Sequence, residues 1–458
     1  MIACVLSGYC NIYDGAMHRV SLEIWVIVTF KRRNSNVDEA SSVLIRMDRS
    51  NKYNDDYTNL EWAIELHRYM LTIVGLWPQS SQQIKDEYKK FSAKFRMLLN
   101  VFILSFVLII PTVAHLIKVW GDLLQTIENL QFSLPFLVTE LKIFIMWHKK
   151  EVLSMLINMV IKDWTRVKMD EERNVMLEKA RIARLLLKLG VFVTALAVFI
   201  RLGSVFFIEY IWHANNDTNH KRALPILTYY WYDLSSSPKY ELAYLAQTIG
   251  CCLATLTYMG IDDFLALLIL HICGQLENLH LRLLNLGKDP DFKAALKYNV
   301  KDHIRLIRSV EVIDNTFNLM LLSVIGFFCI FFSLQGFLAL NANRDNHLPM
   351  SLLLFYIFGS LCVLIHTCLY CVAGELLVIQ NEKIHRVTCE CIWYTLEPKE
   401  ARNLTLIMVC AKKPLNITAG KIFPMTMSTF CNVSYVKHLK YESKFILIHL
   451  NHDTKLIF

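Results

Sequence analysis

Apolar residues in this chain gather into long runs, with little of the short-interval alternation that marks strands. A run of about 20 residues crosses roughly 30 Å of hydrocarbon at about 1.5 Å per residue. Met97–Val119 is such a run, with Pro111 as a tolerated kink. Leu123–Trp147 is a second, although it holds Glu128, Glu140 and Lys142. Leu185–Phe207 and Leu242–Ile272 follow, the latter carrying Asp262-Asp263, and then Phe317–Leu340 and Leu352–Val372. Leu415–Val436 makes a seventh, interrupted by Lys421 and Pro424 and closed by Lys437. The pattern predicts an all-α membrane protein with seven transmembrane helices.

Composition agrees. The 458 residues are 54% hydrophobic and only 19% charged, with a mean hydropathy of +0.35, whereas a soluble chain carries about 25% charged residues. The net charge of +8 is too small and scattered for a nucleic-acid footprint, which needs a basic face. Its distribution says more. Counting the stretch before the first span and the connections between spans, 27 Lys and Arg fall on one side, from Lys85–Arg96, Lys149–Arg184, Arg282–Arg308 and Lys383–Lys413. The other side has five: Lys118, Lys221, Arg222, Lys239 and Arg344. The positive-inside rule places the N-terminus in the cytoplasm and the C-terminus outside. That orientation is opposite to G-protein-coupled receptors, whose D-R-Y and N-P-x-x-Y signatures are also missing.

Candidate chemistry is sparse. The connection Glu209–Glu241 would be the long outer loop, aromatic through Tyr210, Trp212, Tyr229–Tyr232 and Tyr240, with a possible glycosylation sequon at Asn216. Thirteen cysteines are few and odd in number, and none falls in 210–241 or 341–350, so a disulfide scaffold is not expected. Cys368 and Cys371 with His366 have the spacing of a metal half-site, but no second half-site accompanies them and small buried cysteines are common. No metal or cofactor is expected, and no nucleophile–base pair suggests an enzyme. Asp262-Asp263 is open to two readings: a functional acidic pair inside a span, or carboxylates paired with Lys or Arg near the inner interface. The stretch His303–Glu311, with Val300, Ile304, Ile307 and Val310 at helical spacing, reads as an amphipathic helix outside the bilayer that packs in an oligomeric core.

Several stretches form a distinctive set: Gly75-Leu76-Trp77-Pro78; Leu130–Pro135; Leu224-Pro225 with Ser237–Glu241; His271–Leu276; Cys391–Tyr394 with Pro398–Arg402; and Lys413–Leu415, Thr418–Lys421 and Thr429-Phe430. Together they resemble the insect odorant receptors, in particular those of ants, bees and wasps. The resemblance covers residues 50–434. It implies an odorant-gated cation channel subunit that works as a hetero-tetramer with the odorant receptor coreceptor in the plasma membrane of olfactory sensory neurons. It also implies a cytoplasmic anchor, here Trp393, Tyr394, Pro398 and Pro414, and a pore-lining last helix carrying Thr418, Gly420, Lys421, Thr429 and Phe430. A pocket for a small volatile or cuticular hydrophobic ligand would lie in the outer halves of helices two, three, four and six. There the candidates are Phe132, Phe206, Tyr210, Tyr244, Phe355 and Tyr356.

Both ends depart from that pattern. Residues 1–49 have no counterpart and read as a gene-model extension, and 435–458 as an atypical tail. Between Lys421 and Lys437 lie 15 uncharged residues, about 22 Å of helix against about 30 Å of hydrocarbon. Poor conduction or assembly is the expectation for such a tail. The alternatives are a degenerate receptor without channel activity, or a gustatory receptor, whose T-Y-x-x-x-x-x-Q-F signature is missing.

Overall fold

The fold is that of a computed structural model, which describes residues 56–78, 87–166, 168–214, 222–232, 234, 236–288, 290–345, 350–391 and 396–431. All of 1–49, the sequon at Asn216, Trp393, Tyr394 and the tail 435–458 therefore lie outside the described residues. The chain divides into two compact units, Met1–Leu60 and Glu61–Phe458, and the second carries everything below.

Helix α1 runs through 61–73. Gly75, at φ 75°, ends it: the Gly75 N–H donates to Thr72 O at 3.1 Å and the Leu76 N–H to Leu71 O at 2.8 Å. This is the paired C-terminal bonding that needs a left-handed residue, and it explains the Gly-Leu-Trp-Pro sequence locally. Trp77 then packs edge-on to Phe264 at 5.9 Å.

Helix α2 spans Glu87–Lys118 and contains a π-helical turn at Leu104–Ile109 immediately before Pro111. Proline has no N–H, so the carbonyl four residues earlier loses its α-helical donor. That carbonyl, on Val107, is met by the Tyr230 hydroxyl at 3.5 Å. Helix α3 (Leu123–His148) is capped by Asp122, which accepts from the Gln125 N–H at 3.1 Å. Then come α4 (Lys150–Thr165), α5 (Asp170–Ala214), α6 (Lys239–Leu284), α7 (Phe292–Asp345), α8 (Met350–Glu390) and α9 (Pro398–Lys412).

Six helices among the described residues are long and apolar enough to cross a membrane: α2, α3, α5, α6, α7 and α8. Each overlaps one of the first six predicted spans. Helix α6 is the central one, packed along α5, α7 and α8. Of its most apolar stretch 72% is buried, against 6% for α5, which leaves α5's apolar surface to the surrounding medium. At 46 and 54 residues, α6 and α7 are about 70 and 80 Å long, more than twice the hydrocarbon thickness of about 30 Å. Their surplus lies at the Lys/Arg-rich end, where it forms a second bundle with α4 and α9.

Two expectations need correction. First, Leu415–Val436 is not one helix. Thr418–Ala419 (β1) and Phe423–Pro424 (β2) form an antiparallel hairpin with Thr418 opposite Pro424, and helix resumes only at 427. Gly420 and Lys421 both sit at φ 61° and Pro424 has no N–H, so an α-helix cannot run through them. Second, the apolar stripe on α7 is largely consumed within the chain: Val300, Leu306, Val310 and Ile313 are all buried. Ile304, Ile307 and Val312 are left half-exposed.

Outside the spans, His67 in α1 is 1% exposed, and neither ring nitrogen has a hydrogen-bond partner among the described residues. Burial and the nearby Arg184 guanidinium push its pKa down to about 4. The folded state thus holds a neutral imidazole, whereas the unfolded one binds a proton below about 6.5. Stability is complete above 6.5 and is lost as pH falls toward 4. The thermal midpoint in detergent should fall over this window, and His67→Leu should flatten the upper part of the fall; equal slopes for both proteins would contradict the assignment.

Candidate functional site

The half of the bundle remote from the Lys/Arg-rich end is organised by two buried amides. Gln247, on α6 and 0% exposed, accepts from the Ile226 N–H at 3.1 Å. Its own NH2 group donates to the Thr228 hydroxyl at 2.8 Å and to Tyr230 at 3.3 Å. Asn129, on α3 and also 0% exposed, donates to Thr112 O (3.1 Å) and Leu227 O (3.3 Å) and lies 3.2 Å from His115 Nδ1. The Tyr229 N–H donates to Pro111 O at 2.9 Å. Residues 225–230 of the α5–α6 connection are therefore drawn in between α2, α3 and α6. Burial pushes the Tyr230 phenol above its ordinary value, so it serves as a neutral hydroxyl. Gln247→Leu would orphan a buried N–H at a cost of about 1–3 kcal/mol. Faster limited proteolysis within 222–232 is the expected result, and wild-type resistance would show that the loop is held elsewhere.

Around this plug, the predicted pocket residues fall into three groups. Phe132 is half-buried beneath Arg201, whose guanidinium stands 5.2 Å from the ring centre while its Nε donates to Pro225 O at 3.0 Å. Tyr244 is half-buried, its hydroxyl donating to Leu202 O at 2.9 Å. Phe206 is 64% exposed, on the outside of this chain. The side chains of Tyr210, Phe355 and Tyr356 lie outside the described residues, though their backbones are helical. Sequence reading missed Asn129 and Gln247. The signal was available, because an uncharged amide inside an apolar run must find partners.

Beneath this region the acidic pair finds its explanation. Lys142 Nζ, fully buried on α3, lies 2.6 and 2.7 Å from the two Asp262 oxygens and 3.3 Å from the centre of the Tyr258 ring. His366 Nε2 on α8 is 2.9 Å from Asp262 Oδ2. An ionised carboxylate only accepts, so this nitrogen donates. Tyr370 meets the His366 ring edge-on at 5.0 Å, and Phe328 of α7 meets it at 6.2 Å. One charge cluster thereby joins α3, α6, α7 and α8. The second carboxyl, Asp263, is 7% exposed, and its Oδ2 has no hydrogen-bond partner among the described residues. His366 is committed to Asp262, and the described residues contain no group of three or more metal-binding side chains.

At the Lys/Arg-rich end Asp163 of α4 takes Arg305 (2.7 Å) and His271 (3.1 Å). Burial works against its charge, but these two partners hold the carboxyl below its ordinary value. Asp302 takes Arg305 (2.9 Å), Arg282 (2.6 Å) and Arg166 (3.4 Å), and Arg282 reaches Glu172 at 2.8 Å. Three carboxylates thus meet three guanidinium groups.

The hairpin is fastened to α7 by Asp314, which accepts from the Thr418 N–H and hydroxyl, each at 2.7 Å, and pairs with Lys421. The Gly420 N–H donates to Asn318 O at 2.9 Å. Thr426 caps the helix that follows, its carbonyl accepting from the Phe430 N–H at 3.0 Å and its hydroxyl lying 3.3 Å from that of Thr429. Glu375 of α8 accepts from the Met427 N–H at 3.1 Å. Pro398 opens α9 and Pro414 follows it, both exposed. Asn381 of α8 closes α9 by donating to Ala411 O (2.7 Å) and Lys413 O (2.9 Å).

With this geometry in place, comparison with known proteins is decisive. The sequence profile described as 7tm Odorant receptor matches residues 122–435. The chain belongs to the insect odorant receptor family. This odorant receptor is 24% identical over 350 residues to Odorant receptor 33a of Drosophila melanogaster, covering 73% of the chain and 87% of that protein. It is 22% identical over 143 residues to the Odorant receptor coreceptor of Ooceraea biroi, covering 31% of the chain and 29% of the coreceptor. Its fold matches that of the insect olfactory receptor OR5 from Machilis hrabei in complex with eugenol. The TM-score is 0.70 at 16% identity, over 86% of this chain and all of the other. The receptor is accordingly an olfactory receptor and a multi-pass membrane protein, and its family is not one of enzymes.

Proposed function

We propose that this receptor is the odorant-tuning subunit of a ligand-gated, non-selective cation channel, assembled with the odorant receptor coreceptor in the plasma membrane of olfactory sensory neurons. The N-terminus faces the cytoplasm, in line with the Lys/Arg bias. The observation that carries the reading is the outer-loop plug held by Gln247 and Asn129. It fixes amide and hydroxyl groups beside the aromatic side chains of Phe132 and Tyr244, and apolar walls with a few placed polar groups are the chemistry that binds and orients a small hydrophobic molecule. A relative solved with eugenol supports a ligand of that kind.

The ligand acts only if it prefers the open arrangement. The route from plug to pore runs through α6 and α8, which share the Asp262–His366 contact, to Glu375 of α8, which accepts from Met427 at the start of the last helix. Helix α9 leaves Leu406 and Val409 exposed while burying Leu404 and Ile407, an outward apolar face suited to subunit contact near Pro398 and Pro414.

Co-expression with the coreceptor tests the reading, with a panel of volatiles that includes eugenol and with cation current recorded. Each chain is also expressed alone. A second form of the receptor, with residues 432–458 replaced by the corresponding segment of Odorant receptor 33a, separates tail effects from class. Odorant-evoked current requiring both subunits supports the proposal. Surface-localised protein without current in either tail form would overturn it.

A further inference from the structure

Between α4 and α7 lies an open groove of about 420 Å³ that no part of the proposed odorant mechanism uses. Its apolar wall includes Met155, Met159 and Ile304, and its rim Lys301, Arg305 and Arg308. No carboxylate is among its lining residues. Arg305 is matched by Asp163 and Asp302 in the balanced cluster above. Lys301 and Arg308 are exposed and have no ion-pair partner among the described residues. Lys301, Ile304, Arg305 and Arg308 are spaced three, four and seven apart, so they share one helix face. The apolar stretch of α7 begins at Phe317. Arg308 therefore lies about 13 Å below it and Lys301 about 24 Å below.

We infer that this groove binds an anionic phospholipid whose headgroup carries several phosphates. Its methionine wall faces the glycerol-phosphate end of the lipid, below the hydrocarbon, and methionine conforms readily to such flexible surfaces. The cations follow the headgroup away from the bilayer. A single lipid phosphate would sit near the bilayer surface, level with the upper part of the groove. From Arg308 to Lys301 the positive charge extends a further 10 Å or so, which suits a headgroup phosphorylated beyond its diester. Lipid seated here would brace α4 against α7, the helix that carries Asp314 and so holds the hairpin before the last helix. Which leaflet supplies the lipid depends on the proposed orientation; binding itself does not, and accessibility of a tag in the 149–184 connection reads orientation separately.

The test is native mass spectrometry of the purified full chain in detergent, titrated with dioctanoyl phosphatidylinositol 4,5-bisphosphate. Dioctanoyl phosphatidylcholine and soluble inositol 1,4,5-trisphosphate are the parallel arms. Each basic side chain near a polyanion contributes roughly a fivefold factor, so Lys301→Gln with Arg308→Gln should weaken the bisphosphate lipid about 25-fold. Lys301→Arg with Arg308→Lys should leave it within about twofold. Met155→Trp, which obstructs the apolar wall and leaves the charges, should also weaken the lipid. Equal binding of phosphatidylcholine would reduce the groove to an apolar cleft. Trisphosphate binding as tightly as the lipid would make it a free-anion site. An unchanged affinity in the Gln variant, or protection of the groove by a second copy of the chain in cross-linking, would overturn the inference.

Discussion

Lys142→Met should nearly abolish surface expression of this receptor. The substitution removes a fully buried cation from a carboxylate that is itself only 4% exposed. Taking one member from a buried ion pair costs about 3–5 kcal/mol, because the charge left behind has neither water nor a partner. Here the loss is aggravated by Asp263, a second buried carboxyl on the same turn. His366 would still donate to Asp262 but would not replace the lost ammonium. Removing both charges is a different matter, since a neutral, well-packed pair avoids the desolvation cost. Lys142→Met combined with Asp262→Asn should therefore recover most of the surface protein, because an amide at 262 still accepts from His366. Quantitative surface labelling of the single and double variants measures this. Wild-type surface levels in the single variant would show that the pair contributes nothing to folding, and no recovery in the double would show that Lys142 acts through something other than Asp262.

The same pair shows what the sequence could and could not disclose. Six spans were legible because continuous apolar length is a property of the chain alone. The topology rests on the Lys/Arg distribution, which is equally local. Asp262 was visible as an anomaly, and so were Glu140 and Lys142, yet nothing in their spacing says that Lys142 meets Asp262 across 120 positions or that Glu140 accepts from Ser105 at 2.6 Å. Partner choice is decided by how helices pack. The start of the seventh span was misplaced for a related reason. Leu415–Val436 is apolar enough to pass a hydropathy test, but Gly420, Lys421 and Pro424 set a backbone that composition ignores. Read as turn chemistry rather than as interruptions, those three residues would have signalled a hairpin. Phe132 and Tyr244 were chosen as aromatic, whereas what holds the outer loop is Asn129 and Gln247, residues that an aromatic search passes over.

Gly374→Ala should cut maximal odorant-evoked current at least tenfold while leaving most of the receptor at the surface. A methyl group at this position on α8 would stand 1.9 Å from the Met425 carbonyl oxygen and 3.0 Å from its carbon. The obstacle is backbone, so no rotamer change relieves it, and the hairpin end must move away from α8. Overpacking of this kind costs about 1–3 kcal/mol, too little to unfold a bundle of six long helices. The cost falls where it matters, because Met425 donates its N–H to Ile417 O at 2.8 Å and two residues later Met427 donates to Glu375, the neighbour of Gly374. Shifting Met425 therefore pulls the start of the last helix off its acceptor. If that helix lines the pore, as proposed, the displacement alters conduction and leaves odorant affinity nearly unchanged, since Gln247 and Asn129 act at the other end of the bundle. Asp314→Ala, which releases the hairpin from α7 instead, should reduce the maximum in the same way without moving the half-maximal odorant concentration. Wild-type current from Gly374→Ala, or a shifted odorant affinity with an intact maximum, would place the hairpin outside the gating path.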